Sequence, residues 1–299
     1  MRSRALLAIV LTLMVVGAGP SSPDPAAHRR DIEAWRERRL QSLRRDDGWL
    51  TLVGLFWLEP GDNTVGSYPK SRVVLPAGKA PARLATIAVD AAGARLAAAP
   101  GETVEIAGKP VTAAALSTDA AGEATLLRRG PLRFYLIERN GRIGVRVKDA
   151  ESAALKSFRG IESFPIDARW RIVARFDPYQ PAKEIPVPNV LGSTSREKSP
   201  GALVFEVGGR TCRLDVVTEA GTEDWFVIFG DQSNGRETYG GGRFLYVTPP
   251  APGSPAVVDF NKAYNPPCVF TPYATCPLPP SQNRLAVRVE AGEKGYEGH

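Results

Sequence analysis

The chain has 299 residues, 43% of them apolar and 23% charged. That is the balance of a folded protein and excludes a disordered one, and the length suits one large domain or two ordinary ones. The formal charge of +6 falls to about +4 once Arg2 and Arg4 are set aside, too weak to argue for nucleic acid, and none is expected as a partner.

The first residues stand apart. Arg2 and Arg4 precede an apolar run from Ala5 to Val16, followed by Gly17, Ala18 and Gly19. This charged, apolar, small-residue order reads as a secretory signal peptide over residues 1–22, with an uncleaved anchor as the alternative. The run is shorter than the ~20 apolar residues a membrane span needs, and no later segment reaches that length. The expected protein is extracytoplasmic, periplasmic or secreted, with no transmembrane segment. Residues 25–46 read as an amphipathic helix, because Ile32, Trp35, Leu40 and Leu43 recur at spacings of three to five. Its arginines form a solvated face or a docking face for an acidic surface or envelope partner.

After the helix the pattern turns to short runs bounded by Gly, Pro, Asn and Asp. This predicts a mainly β fold, an antiparallel sandwich or partly open barrel, read as a single domain over 48–299. "WLTLVGLFWL" (49–58) is the first strand candidate, and the Ala- and Gly-rich region 80–125 gives little. In "PLRFYLIERNGRIGVRVKD", Asn140-Gly141 marks a two-residue hairpin turn. Folding about it sets Leu136 against Val145 and Phe134 against Val147 on an apolar face, with Tyr135 against Arg146 on the polar one. "ARWRIVARF" (168–176) is a strand, and "PYQPAKEIPVPN" (178–189) a proline-rich extended connector. Ser195 and Lys198 have a Ser-x-x-Lys spacing, but in a loop with no later Lys-Thr-Gly, and are set aside. A second hairpin about Gly208-Gly209 pairs Leu203 with Leu214 and Phe205 with Cys212, which makes Cys212 a buried thiol.

The last hundred residues carry the polar clusters. After the strand "DWFVIFG" (224–230), "DQSNGRETYGGGRFLYV" supplies Asp231, Glu237, Tyr239 and Arg243. Its three glycines allow a bulge or a close approach of ligand to backbone. "DFNKAYNPPCVFTPYATCPLPP" (259–280) follows the strand "AVVDFN" and supplies Asp259, Asn261, Tyr264 and Asn265. Cys268 and Cys276 predict a disulfide outside the cytoplasm, worth roughly 2.5 kcal/mol or less for so short a loop. Such a stiff loop either preorganises a site or caps a sheet end, its Asp and Asn side chains serving turns. "RLAVRVEA" (284–291) reads as the final strand.

Histidine is scarce. His28 and His299 lie near the two ends, where neither is expected in a rigid site. That reading removes the Ser-His-Asp and Cys-His systems. Three cysteines are too few for a four-thiolate zinc site. No metal and no cofactor is expected, and acid–base work falls to carboxylates, Tyr or Lys.

Three strings, "GWLTLVGLFWLEPGDNTVGS", "ETYGGGRFLYV" and "DFNKAYNPPCVFTPYATCPLPPSQNRLAVRVEAGEK", resemble the bacterial and archaeal family of unknown function numbered 1684, over roughly Gly48 to Lys294. The resemblance implies one unit and marks Trp49, Trp57, Tyr239, Arg243, Asp259, Asn261, Tyr264, Asn265, Asn283 and Glu293 as motif positions. It implies no activity. Three readings follow. The first is a binder of a polar small molecule or glycan through Tyr239, Arg243, Asp259, Asn261, Tyr264 and Asn265. The second is a hydrolase using Asp231, Glu237 and Asp259, with or without Ca²⁺ or Mg²⁺. The third is an envelope protein that docks through its Arg-rich helix.

Overall fold

The computed structural model describes residues 24–296. The signal-peptide expectation for residues 1–22, and His299, lie outside the described residues. Helix α1 spans Pro25–Arg44. Asp24 caps it by accepting from the Ala26 N–H at 3.1 Å, and Pro25 sits in the first turn, where no N–H is needed. Ile32 and Leu43 on its apolar stripe are buried, as the spacing predicts. A 3₁₀ turn at Trp49–Thr51 leads into the sheets.

The first half contains β1 (Leu52–Trp57), β2 (Gly61–Gly66), β3 (Val73–Val74), β4 (Ala85–Asp90), β5 (Gly93–Ala98), β6 (Val104–Ile106), β7 (Lys109–Val111), β8 (Ala113–Leu116), β9 (Leu127–Arg129), β10 (Leu132–Arg139) and β11 (Arg142–Asp149). They make two sheets, β1-β11-β10-β9-β6-β7 and β3-β2-β4-β5-β8. Both contribute to one core, with Val65, Ile87 and Leu96 from one sheet and Phe134, Val145 and Val147 from the other. The β10–β11 hairpin has the predicted register, Phe134 opposite Val147 and Tyr135 opposite Arg146. Asn140 and Gly141 take φ of +53° and +72°, the values a two-residue turn of this twist requires.

The second half begins with a short helix α2 (Ala153–Ser157). It continues as β12 (Arg171–Pro188), β13 (Thr194–Val207), β14 (Arg210–Thr218), β15 (Trp225–Phe229), β16 (Arg243–Val247) and β17 (Ala256–Asp259). These form one antiparallel sheet ordered β16-β15-β14-β13-β12-β17. It nearly closes on itself. Just beyond β17, Tyr264 exchanges two backbone hydrogen bonds of 2.9 Å with Phe244 of β16. Leu203, Leu214, Val227, Phe229, Leu245 and Phe260 fill the interior. Cys212 lies opposite Phe205 as expected, free and buried, its thiol pKa pushed up by burial. Among the described residues no helix is long and apolar enough to cross a membrane.

Two element readings are corrected. Residues 178–188 are not a connector but the second part of β12, paired with β13 across an irregularity between Pro178 and Lys183. Beyond Ala174 that strand has β13 on one side and, among the described residues, no strand ladder on the other, where only the Pro188 carbonyl accepts from the Leu278 N–H, so its prolines sit where a missing N–H costs little. Residues 284–291 are not a strand. Their alternation is correct, since Leu285, Val289 and Ala291 all enter the barrel core. Their hydrogen bonds, however, go to Gly230, Gln232 and the Asp231 carboxylate and not to a ladder.

Candidate functional site

The structure divides the three predicted carboxylates among three separate partners, Arg243, Arg288 and His28. Arg243 shares the inward parity of Leu245 and Val247 on β16 and so enters the barrel. There it meets Asp231 at 2.8 Å, both side chains fully buried. Its guanidinium also donates to the carbonyls of Val289, at 2.9 Å, and Ala291. The second Asp231 oxygen accepts from the N–H groups of Ser233 and Val289. This is a closed clamp on the C-terminal segment. Glu237 pairs with Arg288. Asp259 pairs with His28 at 2.7 Å.

That last contact corrects the histidine reading. His28 is buried on the first turns of α1, and its Nε2 meets the Asp259 carboxylate. Asp259 also accepts from the backbone and side-chain N–H groups of Asn261. Asn261 in turn brackets the peptide of Asp167, accepting from its N–H at 3.0 Å and donating to its carbonyl at 2.9 Å. The network fastens helix to barrel.

The other motif amides behave alike. Asn265 donates to the Lys294 carbonyl, while its backbone N–H donates to Glu293 and its carbonyl accepts from Arg39. Asn283 bonds both peptide groups of Asp215 and the carbonyl of Ile228. It thereby bridges β14 and β15 where their own ladder is only two pairs long. Tyr239 packs partly buried among Leu43, Val269 and Phe270. Gly242 does permit a close approach, at φ +90°, but of the chain to itself, since a Cβ there would lie 2.6 Å from the Phe229 carbonyl oxygen.

Tyr264 is different. It lines a cleft of about 440 Å³ between the two halves, within the range of small-molecule sites. One wall is the outer face of the barrel, with Phe226, Phe244, Tyr246 and Tyr264. The rings of Tyr246 and Tyr264 stack at 6.3 Å with 16° between their planes. Burial pushes both phenols up, so both stay neutral donors, and Tyr246 donates to Glu219 at 2.6 Å. A second wall is the predicted rigid loop, where Pro267 and residues 274–277 face the cleft. Cys268 and Cys276 are bridged, with Cα atoms 6.2 Å apart.

The third wall is the polar face of the β10–β11 hairpin, joined by Arg39 and Trp49. Arg39 lies 4.8 Å over the Tyr264 ring and is paired with Glu293. Arg139 is held by both oxygens of Asp119. Arg146 is 6% exposed. It donates one bond to the Thr275 hydroxyl at 2.9 Å and lies 5.4 Å over Trp49. Among the described residues it forms no salt bridge, and its buried Nε–H finds no acceptor. Lys148 also lies over Trp49, and burial holds its ammonium below the usual lysine range, opposed by Asp47 and reinforced by Arg146 and Arg133. Among the described residues no group of three or more His, Cys, Asp or Glu is placed to hold a metal.

A family model described as protein of unknown function (DUF1684) matches residues 156–294. The matched segment is just under half of the chain. It contains the barrel, the glycine string and the disulfide loop, and stops short of "GWLTLVGLFWLEPGDNTVGS". An uncharacterized protein of Haloarcula marismortui, solved by solution NMR, is similar at 29% identity, over 48% of this chain and 80% of that one, with a TM-score of 0.40. No curated protein matches the chain. Thus the DUF1684 segment supplies the aromatic wall and the loop, whereas Arg39, Trp49, Arg139 and Arg146 come from outside it.

The sequence carried a signal for this basic wall that the motif search missed. Strand parity puts Arg133, Arg139, Arg142, Arg146 and Lys148 on one face of the hairpin, with Arg133 directly opposite Lys148 and Arg139 opposite Arg142. Like charges set opposite one another are unfavourable unless something anionic or aromatic covers them. Here Asp46, Asp119 and the rings of Trp49 and Trp57 do so.

Proposed function

We propose that this chain acts outside the cytoplasm as a binder of a polar small molecule, held in the cleft between the two halves. The observation that carries the reading is the stacked Tyr246–Tyr264 pair facing a loop fixed by prolines and a disulfide. Flat aromatic surfaces take up the apolar faces of sugars and ring compounds, and fixed polar groups around them set orientation. A rigid loop lowers the ordering cost of binding. The disulfide and the residue order of the N-terminus support the location. The hydrolase reading loses its support, because Asp231, Glu237 and Asp259 are each tied to a separate partner, Arg243, Arg288 and His28.

The test is a panel of neutral sugars, amides and organic acids, followed by the indole N–H resonance of Trp49, assigned by its loss in Trp49→Phe. At least one class should move that resonance saturably and raise the melting temperature, and Tyr246→Ala should weaken both effects. A panel that never moves it, up to millimolar concentrations, sinks the cleft as a binding site.

A further inference from the structure

We infer that the cleft selects an organic oxyanion, a carboxylate or phosphate carried on a flat or apolar body, and that Arg146 is the group that holds the anion. The inference rests on the cleft being the binding site and adds the chemistry of what enters it.

The argument begins with charge. Taking a guanidinium out of water is expensive, so buried arginines are paired with carboxylates or fully hydrogen-bonded. Arg146 is more than nine-tenths buried, yet its recorded partners are one neutral hydroxyl and one indole face. Five N–H donors in a planar fork favour two-point binding of a carboxylate or phosphate, and the Nε–H is unpartnered. The two other arginines of the cleft do not share this condition, because Glu293 occupies Arg39 and Asp119 occupies Arg139. The sequence spacing that raises Arg146 from the hairpin also brings Lys148 to the same indole. Among the described residues no acid forms a salt bridge with either cation, and Lys148 donates to the Asp47 carbonyl.

The opposite wall limits the pose. Among the described residues Glu219 is the one carboxylate lining the cleft, and it already accepts from Tyr246. An anion is repelled there and drawn to the Arg146 wall. The apolar remainder of the molecule then lies along Phe226, Phe244 and the tyrosine pair. Thr275 accepts from the Arg146 fork, and it stands next to Cys276 in the bridged loop. The disulfide therefore positions the anion-binding group through one hydroxyl.

The experiment titrates the full chain with benzoate, phenyl phosphate, inorganic phosphate and uncharged benzamide. Binding is followed by calorimetry and by the Nε–H resonance of Arg146, assigned by its loss in Arg146→Lys. Benzoate or phenyl phosphate should bind and shift that resonance, and benzamide should not. Whichever anion binds identifies the headgroup. Equal action by inorganic phosphate would show an anion site without the apolar subsite, contrary to the inference. Arg146→Gln should weaken the bound anion about tenfold or more, the scale of one charge-assisted contact. Glu219→Gln should strengthen it, because the carboxylate that repels the anion is then gone. Equal binding of benzamide and benzoate, or binding that leaves the Nε–H resonance unmoved, overturns the anion assignment while leaving the cleft as a site. Silence of both Arg146 and Trp49 towards every probe, the neutral sugars included, overturns the cleft reading as well.

Discussion

Two arginines of this protein are almost equally buried and differ in what surrounds them. Arg243 projects into the barrel, where Asp231 neutralises it and two backbone carbonyls accept from its terminal N–H groups at close range. Arg146 projects from the outer face of the first half, where a threonine hydroxyl and an indole ring receive it. An unpartnered Nε does not separate them, because both have one. What separates them, apart from that shared Nε, is the counter-charge. A buried cation with its own carboxylate is closed to anything else, whereas one without it, at the edge of a cleft, has capacity left for a ligand. Motif reading pointed to Arg243, and geometry points to Arg146.

The largest effect expected from this contrast is on stability. Arg243→Met strands the Asp231 carboxylate inside the barrel and should cost about 3–5 kcal/mol, measured as a lower urea midpoint. Adding Asp231→Leu should recover much of that loss, since removing both charges removes the desolvation penalty with them. Arg146→Met should change stability by no more than about 1 kcal/mol, because it deletes an uncompensated charge and leaves one hydroxyl unpaired. If Arg146→Met proves as damaging as Arg243→Met, the two arginines play one structural role and the contrast collapses.

A smaller effect belongs to the loop that positions Arg146. The paired substitution Cys268→Ser, Cys276→Ser should lower stability by about 2.5 kcal/mol at most, because the bridge spans only eight positions and prolines already stiffen the unfolded loop. Its specific signature lies elsewhere. With the loop loosened, Thr275 no longer fixes the Arg146 fork, so the Nε–H resonance of Arg146 should broaden or shift in the reduced variant. An unchanged resonance would detach the disulfide from the cleft.

Much of the fold could be read from local patterns, and the site could not. Both hairpin registers follow from Asn140-Gly141 and Gly208-Gly209, because a two-residue turn fixes the pairing of every residue behind it. The burial of Cys212 follows from the same counting. By contrast, residues 284–291 alternate like a strand, yet Asp231 and the Gly230–Gln232 backbone take the place of a neighbouring ladder. No local signal distinguishes those partners. The motif amides Asn261, Asn265 and Asn283 looked like ligand contacts because polar groups at unusual positions attract that reading, and they proved to be ties between distant backbone segments. Only Tyr264 of the predicted ligand set lines the cleft. Arg146 reaches it from 118 positions earlier in the chain, through the packing of one half on the other. A long-range contact of that kind leaves no periodicity. Its trace was the one-sided run of cations on the hairpin, which calls for a partner without naming it.

The gentlest way to sharpen the contrast is to make Arg139 resemble Arg146. Asp119 occupies Arg139 with both carboxylate oxygens and also accepts from the Glu138 N–H. Burial pushes the Asp119 carboxyl up, but Arg139 and that N–H outweigh it and hold the group below the usual carboxylate range. An aspartate depressed in this way stabilises the folded state fully above its unfolded pKa, near about 4. The contribution fades as pH falls through the lower folded value, because the unfolded chain takes up the proton first. Stability followed by urea midpoint should therefore fall on acidification below about pH 4, and Asp119→Asn should flatten that part of the curve. Neither arginine titrates in this range, so the slope reports Asp119 and its fellow carboxylates. The same substitution leaves Arg139 without its counter-ion at the rim of the cleft, so at neutral pH phenyl phosphate should bind Asp119→Asn more tightly than the parent. A flattened acid limb with unchanged affinity would mean that Arg139 stands too far from the bound anion to matter, and that Arg146 acts alone.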